Sequence, residues 1–229
     1  MLSTRLQKIA NFLEFNDEVV DIGCDHGYLG IYATQKKLVK SIILTDIKES
    51  ALDMARKNVK NTNLDIPLLV SDGLDAVDEN KINTVVISGM GTSTILHILN
   101  NPNKLVNVNK LILQSNNNLD ILREEVTKLG FNLVDEVTVK DNDIWYVICL
   151  FKKDRMAVLD QKTIKYGLKK QDKEEYYKYL LANQEEILAR LEKSNNINLK
   201  NEKQNEIKEL KELLEECRTI STDWANFRF

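Results

Sequence analysis

The segment EVVDIGCDHGYLGIYATQ, Glu18 to Gln35, is apolar up to Asp21, then sets Gly23, Gly27 and Gly30 at spacings of four and three before a helical pattern. A carboxylate beside a glycine turn can hold a cation. Backbone without side chains lets a ligand lie close enough for amides to take an anion. Asp46 ends the next apolar run, SIILTD, and its two oxygens match a vicinal diol such as that of a ribose. Asp72 and Gly73 close a third run in VSDGLDAV, and Ser88, Gly89 and Met90 close a fourth in NTVVISGMGTSTIL. A fifth, KLILQS, carries Gln114, with Asn116 and Asn117 following, and such amides can pair with base edges. Each feature has a plainer alternative: a glycine-closed strand–helix turn, a helix N-cap at Asp46, an Asp-Gly turn at Asp72, or caps for the next helix at the asparagines. The coincidence of four such strand ends on one edge favours a bound ligand over any of these taken singly.

The glycine spacing narrows the ligand. It is not GxGxxG, which needs two glycines one residue apart, and no GK[ST] follows to make a phosphate loop. What remains, D-x-G-x-x-x-G, is similar to the first motif of S-adenosylmethionine methyltransferases. The methionine end of that donor carries both charges: an ammonium for Asp21 or Asp25 and a carboxylate for backbone amides.

These residues need a scaffold that brings strand ends together. The runs EVVDIG, SIILTD, PLLVSDG, NTVVISGMG and KLILQS are continuous rather than alternating, as strands buried on both faces require. Helical patterns over Tyr28–Lys37, Glu49–Asn61, Thr92–Leu99 and Leu119–Leu129 separate them, which predicts a parallel sheet with right-handed crossovers. FNLVDEVTVKDNDIWYVICLF holds two further runs joined by KDND, with no room for a helix, so a terminal antiparallel hairpin is expected. The fold class is therefore α/β, a doubly wound parallel sheet with a terminal antiparallel hairpin expected over residues 1–153, which resembles the Rossmann-like sheet of class I methyltransferases. Over 154–229 the strand signal stops. Tyr177, Leu180, Gln184, Ile187 and Leu191 form one heptad stripe, and Ile207, Leu210, Leu214 and Cys217 form another. With NNINLKN as the loop, they predict an antiparallel helical, coiled-coil-like hairpin.

At 43% apolar residues the chain can bury a sizeable core, yet no window approaches the ~20 apolar residues of a membrane span. The N-terminus lacks the apolar region and cleavage site of a signal peptide. Cys24, Cys149 and Cys217 form no CxxC, and with His26 and His97 make no zinc spacing. A cytoplasmic, reduced, metal-free protein is expected, and the sequence leaves its protein partners unknown. The net charge of -3 hides an asymmetry: the first 151 residues are net acidic and the remainder net basic, with a cationic excess over Lys152–Lys178. That joint could touch phosphates or be a solvated helical face. Arg5 is by default a surface charge; a place at the pocket or at a phosphate is its other reading.

Together these residues resemble one family, the bacterial tRNA (adenine(22)-N1)-methyltransferases. The likeness rests on LSTRLQKIANFL, DIGCDHGYLG, VSDGLDAV, SGMGTSTIL and LILQSNNNLDILREEV with GFNLVDE. It continues more weakly into YGLKKQDKEEYYKYLLANQEEIL, where the family carries a coiled-coil appendage. The family often has Ser, Ala and Pro where Cys24, Gly27 and Gly30 stand, a further glycine at Thr92, and a proline at Ser115. The resemblance implies methyl transfer from S-adenosylmethionine to N1 of an adenine in tRNA, with the helical segment gripping the RNA. It implies a donor site of Asp21, Gly23, Cys24, Asp25, His26, Gly27, Tyr28, Asp46, Ile47, Asp72, Gly73, Ser88, Gly89 and Met90. It sets Asp25, Gly89, Met90 and Gln114 around the transfer, with Tyr28 available to stack on the base or to pack on the protein. Two other functions share parts of this pattern. A methyltransferase for a protein or small molecule keeps the donor site, and a non-catalytic Rossmann-like interaction module keeps only the fold.

Overall fold

The computed structural model describes residues 2–154, 158–191 and 196–226. The chain divides into two compact units, Met1–Gly167 and Leu168–Phe229.

In the first unit, β1 (Glu18–Ile22), β2 (Ser41–Asp46), β3 (Leu68–Val70), β4 (Thr84–Met90) and β5 (Lys110–Ser115) run parallel, and β6 (Phe131–Asp141) and β7 (Ile144–Lys153) complete a seven-stranded sheet. The order is β3-β2-β1-β4-β5-β7-β6, with β7 antiparallel between β5 and β6. The chain winds outward from β1 to β3, then returns to place β4 on the other side of β1. That reversal opens a crevice at the carboxyl ends of β1 and β4. The central strands are buried on both faces, as their unbroken apolar runs require: Val19, Val20, Leu44, Val85, Val86, Ile87, Leu111, Ile112 and Leu113 are all sequestered. The crossover helices α2 (Tyr28–Gln35), α3 (Glu49–Lys60), α4 (Thr92–Leu99) and α5 (Leu119–Lys128) lie within two residues of the spans the periodicity predicts.

The hairpin turn is tighter than KDND suggests. Lys140 and Asp141 stay in β6, leaving Asn142 and Asp143 as a two-residue loop at φ +49° and +63°. Two successive left-handed residues match the right-handed twist of the flanking strands, and Asn and Asp tolerate that conformation best after glycine.

Two α-helices of the described residues have no counterpart among the predicted elements, one at the N-terminus and a short one after β7. α1 (Thr4–Ala10) is capped by Ser3, whose Oγ accepts from Leu6 N at 3.3 Å. It buries Ile9 and Ala10 in the same cluster as Val86, Ile112, Val139 and Ile148, so it packs on the sheet near β6 and β7.

The first unit closes around a buried ion pair. Arg123 of α5 donates from Nη2 (2.6 Å) and Nε (2.9 Å) to Glu136 Oε1, and Cys149 Sγ donates to the same oxygen at 3.3 Å. Arg123 Nη1 donates to the carbonyls of Ile164 and Lys165 in α6 (Gln161–Tyr166), at 2.9 and 3.3 Å. These bonds tie α6 to the sheet unit, so the division falls after Gly167 rather than at residue 153.

In the second unit, α7 (Glu174–Leu191) and α8 (Ile197–Asn226) pair antiparallel. Lys169 meets Glu216 near one end, and Lys211 meets Glu185 further along at 3.2 Å. Tyr177, Leu210, Leu214 and Cys217 of the expected stripes are buried, joined by Tyr176 and Leu213. Ile187 departs from its stripe and is 38% exposed, with Leu188 half-buried beside it. The expected loop NNINLKN is mostly helix. Asn195 lies outside the described residues, and Asn196 Oδ1 accepts from Leu199 N at 3.1 Å, which caps α8 and starts it at Ile197. No helix among the described residues is long and apolar enough to cross a membrane.

Removing one partner of a buried pair strands the other charge. Arg123→Met is expected to lower the unfolding free energy by about 3–5 kcal/mol, measured by urea denaturation of the full chain. Adding Glu136→Leu to it should recover part of that loss.

Candidate functional site

A cavity of about 330 Å³ opens at the carboxyl ends of β1, β2 and β4. Asp21, Gly23, Cys24, Asp25, His26 and Tyr28 form one wall and Asp46 another; Ser88, Gly89 and Met90 form a third, with Arg5 and Leu6 of α1 over them. The size is within the range of small-molecule sites.

The backbone at two glycines makes this space. Gly23 is left-handed (φ +72°), and its amide and that of Cys24 donate to Thr45 O at 2.8 and 3.0 Å, pinning the β1 turn to β2. A Cβ on Gly23 would collide with Met90 Cε. Gly89 is also left-handed (φ +81°), and a Cβ there would sit 3.1 Å from Arg5 Nη1. Gly27 serves packing instead: a Cβ would press on Leu44 and Ala55, where α2 meets β2 and α3.

Three carboxylates line the cavity in different states. Asp21 is 6% exposed, and its carboxylate has no hydrogen-bond donor among the described residues. Burial, and then the charge of Asp46, push its pKa up to about 7. Asp46 Oδ1 accepts from Lys48 N at 3.0 Å, an Asx-type turn ahead of α3 rather than a cap on it, since α3 starts at Glu49 with no side-chain cap. Asp25 is exposed, at φ +50°, with His26 Nε2 3.5 Å from its carboxylate. The His26 and Tyr28 rings stack, centroids 5.4 Å apart, at the mouth. Cys24 is pushed up to about 12 by burial and then by Asp21, so its thiol stays protonated and is no nucleophile.

Behind the β4 wall stands Gln114, which is 1% exposed. Its Oε1 accepts from Arg5 Nη1 at 2.7 Å, Gly89 N at 2.9 Å and Ser88 Oγ at 3.2 Å, and its Nε2 donates to Asn116 Oδ1 at 3.0 Å. The expected contact of Gln114 with a base edge therefore gives way to a different task. Its acceptor is spent holding β4 and α1 together, and it is absent from the cavity wall. The asparagines also act elsewhere than expected. Asn117 Oδ1 accepts from Thr92 N at 3.0 Å, capping α4 rather than α5, and Asn116 Nδ2 donates to Gly89 O at 2.9 Å.

The arrangement is a strand-end crevice at the sheet reversal, with two glycine turns and an orphaned buried carboxylate. A family model for a methyltransferase domain matches residues 2–149. The tRNA (adenine(22)-N(1))-methyltransferase of Bacillus subtilis is 30% identical over 171 residues, 73% of this chain and 72% of that one. The structure of M. capricolum TrmK with S-adenosyl-homocysteine is 30% identical, with a TM-score of 0.80 over 94% of this chain and 98% of that one. Sp1610 of Streptococcus pneumoniae, solved as a candidate tRNA (m1A22) methyltransferase, is 28% identical, with a TM-score of 0.85 over 93% and 100% of the two chains. The chain belongs to the tRNA (adenine(22)-N1)-methyltransferase family.

Within this member of the family, Asp21, Gly23, Cys24, Asp25, His26, Tyr28, Asp46, Ser88, Gly89 and Met90 come together around the cavity, while Gly27, Ile47, Asp72, Gly73 and Gln114 lie outside its walls. Ile47 is 59% exposed, and Gly73 (φ +54°) turns against Ile98. The residue whose default reading fails is Arg5. A surface charge is expected there, whereas the methyltransferase unit brings it into the cavity wall on α1. A signal for that helix is present: Leu6, Ile9, Ala10 and Leu13 recur at spacings of three and one, a helical face that must pack on something.

Asp21 makes a pH signature. Its folded pKa, about 7, lies above the unfolded value of 3.8. Between those limits the folded chain holds a proton that the unfolded chain has released, so this group erodes stability as pH rises and does so fully above pH 7. Asp21→Asn removes the titration. The stability of the variant relative to the parent is expected to grow by about 2–4 kcal/mol from pH 4.5 to pH 8, in denaturant titrations without ligand; a constant difference would refute it.

Proposed function

We propose that this chain transfers a methyl group from S-adenosylmethionine to N1 of adenine 22 in tRNA. The observation that carries the reading is Asp21: a buried carboxylate with no donor among the described residues, facing a cavity between two left-handed glycines, in a chain of this family. Such a group is costly unless a cation completes it.

When bound, the donor supplies a methyl group already activated on a sulfonium. Asp21 faces its ammonium. Asp46 takes ribose hydroxyls, with the oxygen not spent on Lys48 N available in full. The turns at Gly23 and Gly89 let backbone and ligand approach closely, and Met90 sits over Gly23 as the wall beside the acceptor. Adenine N1 carries a lone pair and no proton, so the cavity needs no general base, and the protonated Cys24 fits that economy. Methylation there leaves the base cationic, and the exposed Asp25 carboxylate at the mouth offers a counter-charge. The stacked His26–Tyr28 pair offers a ring face to a base taken out of its stack. Exposing the Watson–Crick edge costs roughly a few kcal/mol. Alignment of the two reactants contributes most of the acceleration.

The second unit is read as the tRNA grip, by shape and phosphate contacts rather than base reading. The cationic excess over Lys152–Lys178 supports this, although Arg155 within it lies outside the described residues. A cytoplasmic setting suits a tRNA substrate and the cysteines Cys24, Cys149 and Cys217, which form no disulfide.

Incubation with labelled donor and total tRNA, followed by nucleoside mass spectrometry, is expected to yield N1-methyladenosine; its absence would sink the reading. Asp46→Ala should weaken donor binding by about 10- to 100-fold in calorimetry, the scale of hydrogen bonds to a charged group. Truncation after Gly167 should spare donor affinity while sharply lowering tRNA methylation, and full retained activity would remove the grip from the second unit.

A further inference from the structure

We infer that Asn58 of α3 is a positioning residue for the acceptor base: it holds the His26–Gly27 peptide and so sets the His26 ring, stacked on Tyr28, at the mouth of the cavity. This rests on the methyl-transfer reading above and adds to it a residue outside the cavity walls.

The turn from β1 to α2 is anchored at two places. Its first half is tied to β2, where the amides of Gly23 and Cys24 donate to Thr45 O at 2.8 and 3.0 Å. Its second half carries Asp25 and His26 and leads into Tyr28. There Asn58 Nδ2 donates to His26 O at 2.9 Å, the only hydrogen bond that carbonyl receives among the described residues. On the other side of the same peptide, Gly27 N donates to Cys24 O at 2.8 Å. The His26–Gly27 peptide is thus held at both its polar ends.

It needs holding. Asp25 (φ +50°) and Gly27 (φ +70°) are both left-handed and flank His26. Glycine takes either sign of φ at little cost, so this peptide can rotate once its carbonyl is released. His26 and Tyr28 lie on either side of it, and its rotation changes how their rings meet, now 5.4 Å apart and 22° from parallel. The same face of α3 brings the turn within reach. Ala55, three residues before Asn58, is small enough for Gly27 to approach, and a Cβ on Gly27 would lie 3.2 Å from Ala55 Cβ. Ala55 therefore admits the turn and the half-buried Asn58 fixes it. The division of labour follows from the two anchors: Thr45 sets the half of the turn that faces the donor, and Asn58 sets the half that faces the base.

The test is steady-state methylation of tRNA by the full chain at saturating donor and tRNA, with donor affinity measured separately by calorimetry. Asn58→Ala is expected to lower kcat by about 10- to 100-fold, the scale of a misplacement near 1 Å. Donor Kd should stay within about threefold of the parent, because the Thr45 anchor is intact. Asn58→Asp keeps the shape but turns a carboxylate oxygen toward the carbonyl, and should lose at least as much. In a His26→Ala background, Asn58→Ala should cost no more than about threefold further, since a residue acting through another is not additive with it. An unchanged kcat in both Asn58 variants would overturn the inference. Donor affinity lost in step with kcat in both would also overturn it, leaving Asn58 as a general prop of the turn, and so would full additivity with His26→Ala. In each of these the parent still methylates tRNA and the methyl-transfer reading stands; a parent chain inactive on tRNA removes both.

Discussion

One buried carboxylate of the first unit has no hydrogen-bond donor among the described residues, and the cavity is built around it. Asp21 lies next to last in β1, the central strand of the parallel region, where the strand order reverses and a crevice opens at the carboxyl ends of β1 and β4. Elsewhere the unit satisfies its buried charges. Arg123 and Glu136 share two hydrogen bonds, and Lys110 Nζ meets Asp17 at 2.6 Å. Asp21 alone of these faces open volume. Placed at the bottom of the sheet it would be a defect. At the carboxyl edge, beside a left-handed Gly23, it is the fixed half of an interaction that a cationic ligand completes.

The opposite wall is set by hydrogen bonds that converge on one amide oxygen. Gln114 Oε1 takes donors from α1, from the backbone of Gly89 and from Ser88, so β4, β5 and the N-terminal helix meet at a single atom. Asn116 and Asn117 extend the same mesh to Gly89 O and to the start of α4. Most of the polar residues after β5 therefore shape the cavity from behind instead of touching what enters it. Preorganisation of this kind matters for methyl transfer, where alignment rather than acid–base chemistry carries the rate.

Much of this was legible in the order of the residues. Unbroken apolar runs mark doubly buried strands, and Asp21, Gly23, Asp46 and Ser88–Met90 are found at their ends because the parallel topology sends every such end to the same edge. The hairpin was legible too, since ten or so residues of strand pattern on either side of a polar turn leave no room for a crossover. The helical stripes were clear in the half where Tyr177, Leu210, Leu214 and Cys217 pack, and less so at Ile187, where the seam turns aside.

Local pattern determined the elements, their sequence and the strand-end residues, because these depend on periodicities of two and 3.6 and on turn chemistry within a few positions. Tertiary structure alone decided which polar groups share an atom. Arg5 and Gln114 are 109 positions apart and meet because α1 folds over the ends of β4 and β5. Asn117 caps a helix that precedes it in the chain, and Asp72 and Ile47, each beside a strand end, stand outside the cavity. Spacing carries no information about such encounters: they follow from how helices pack on a sheet, which is set by the whole core at once.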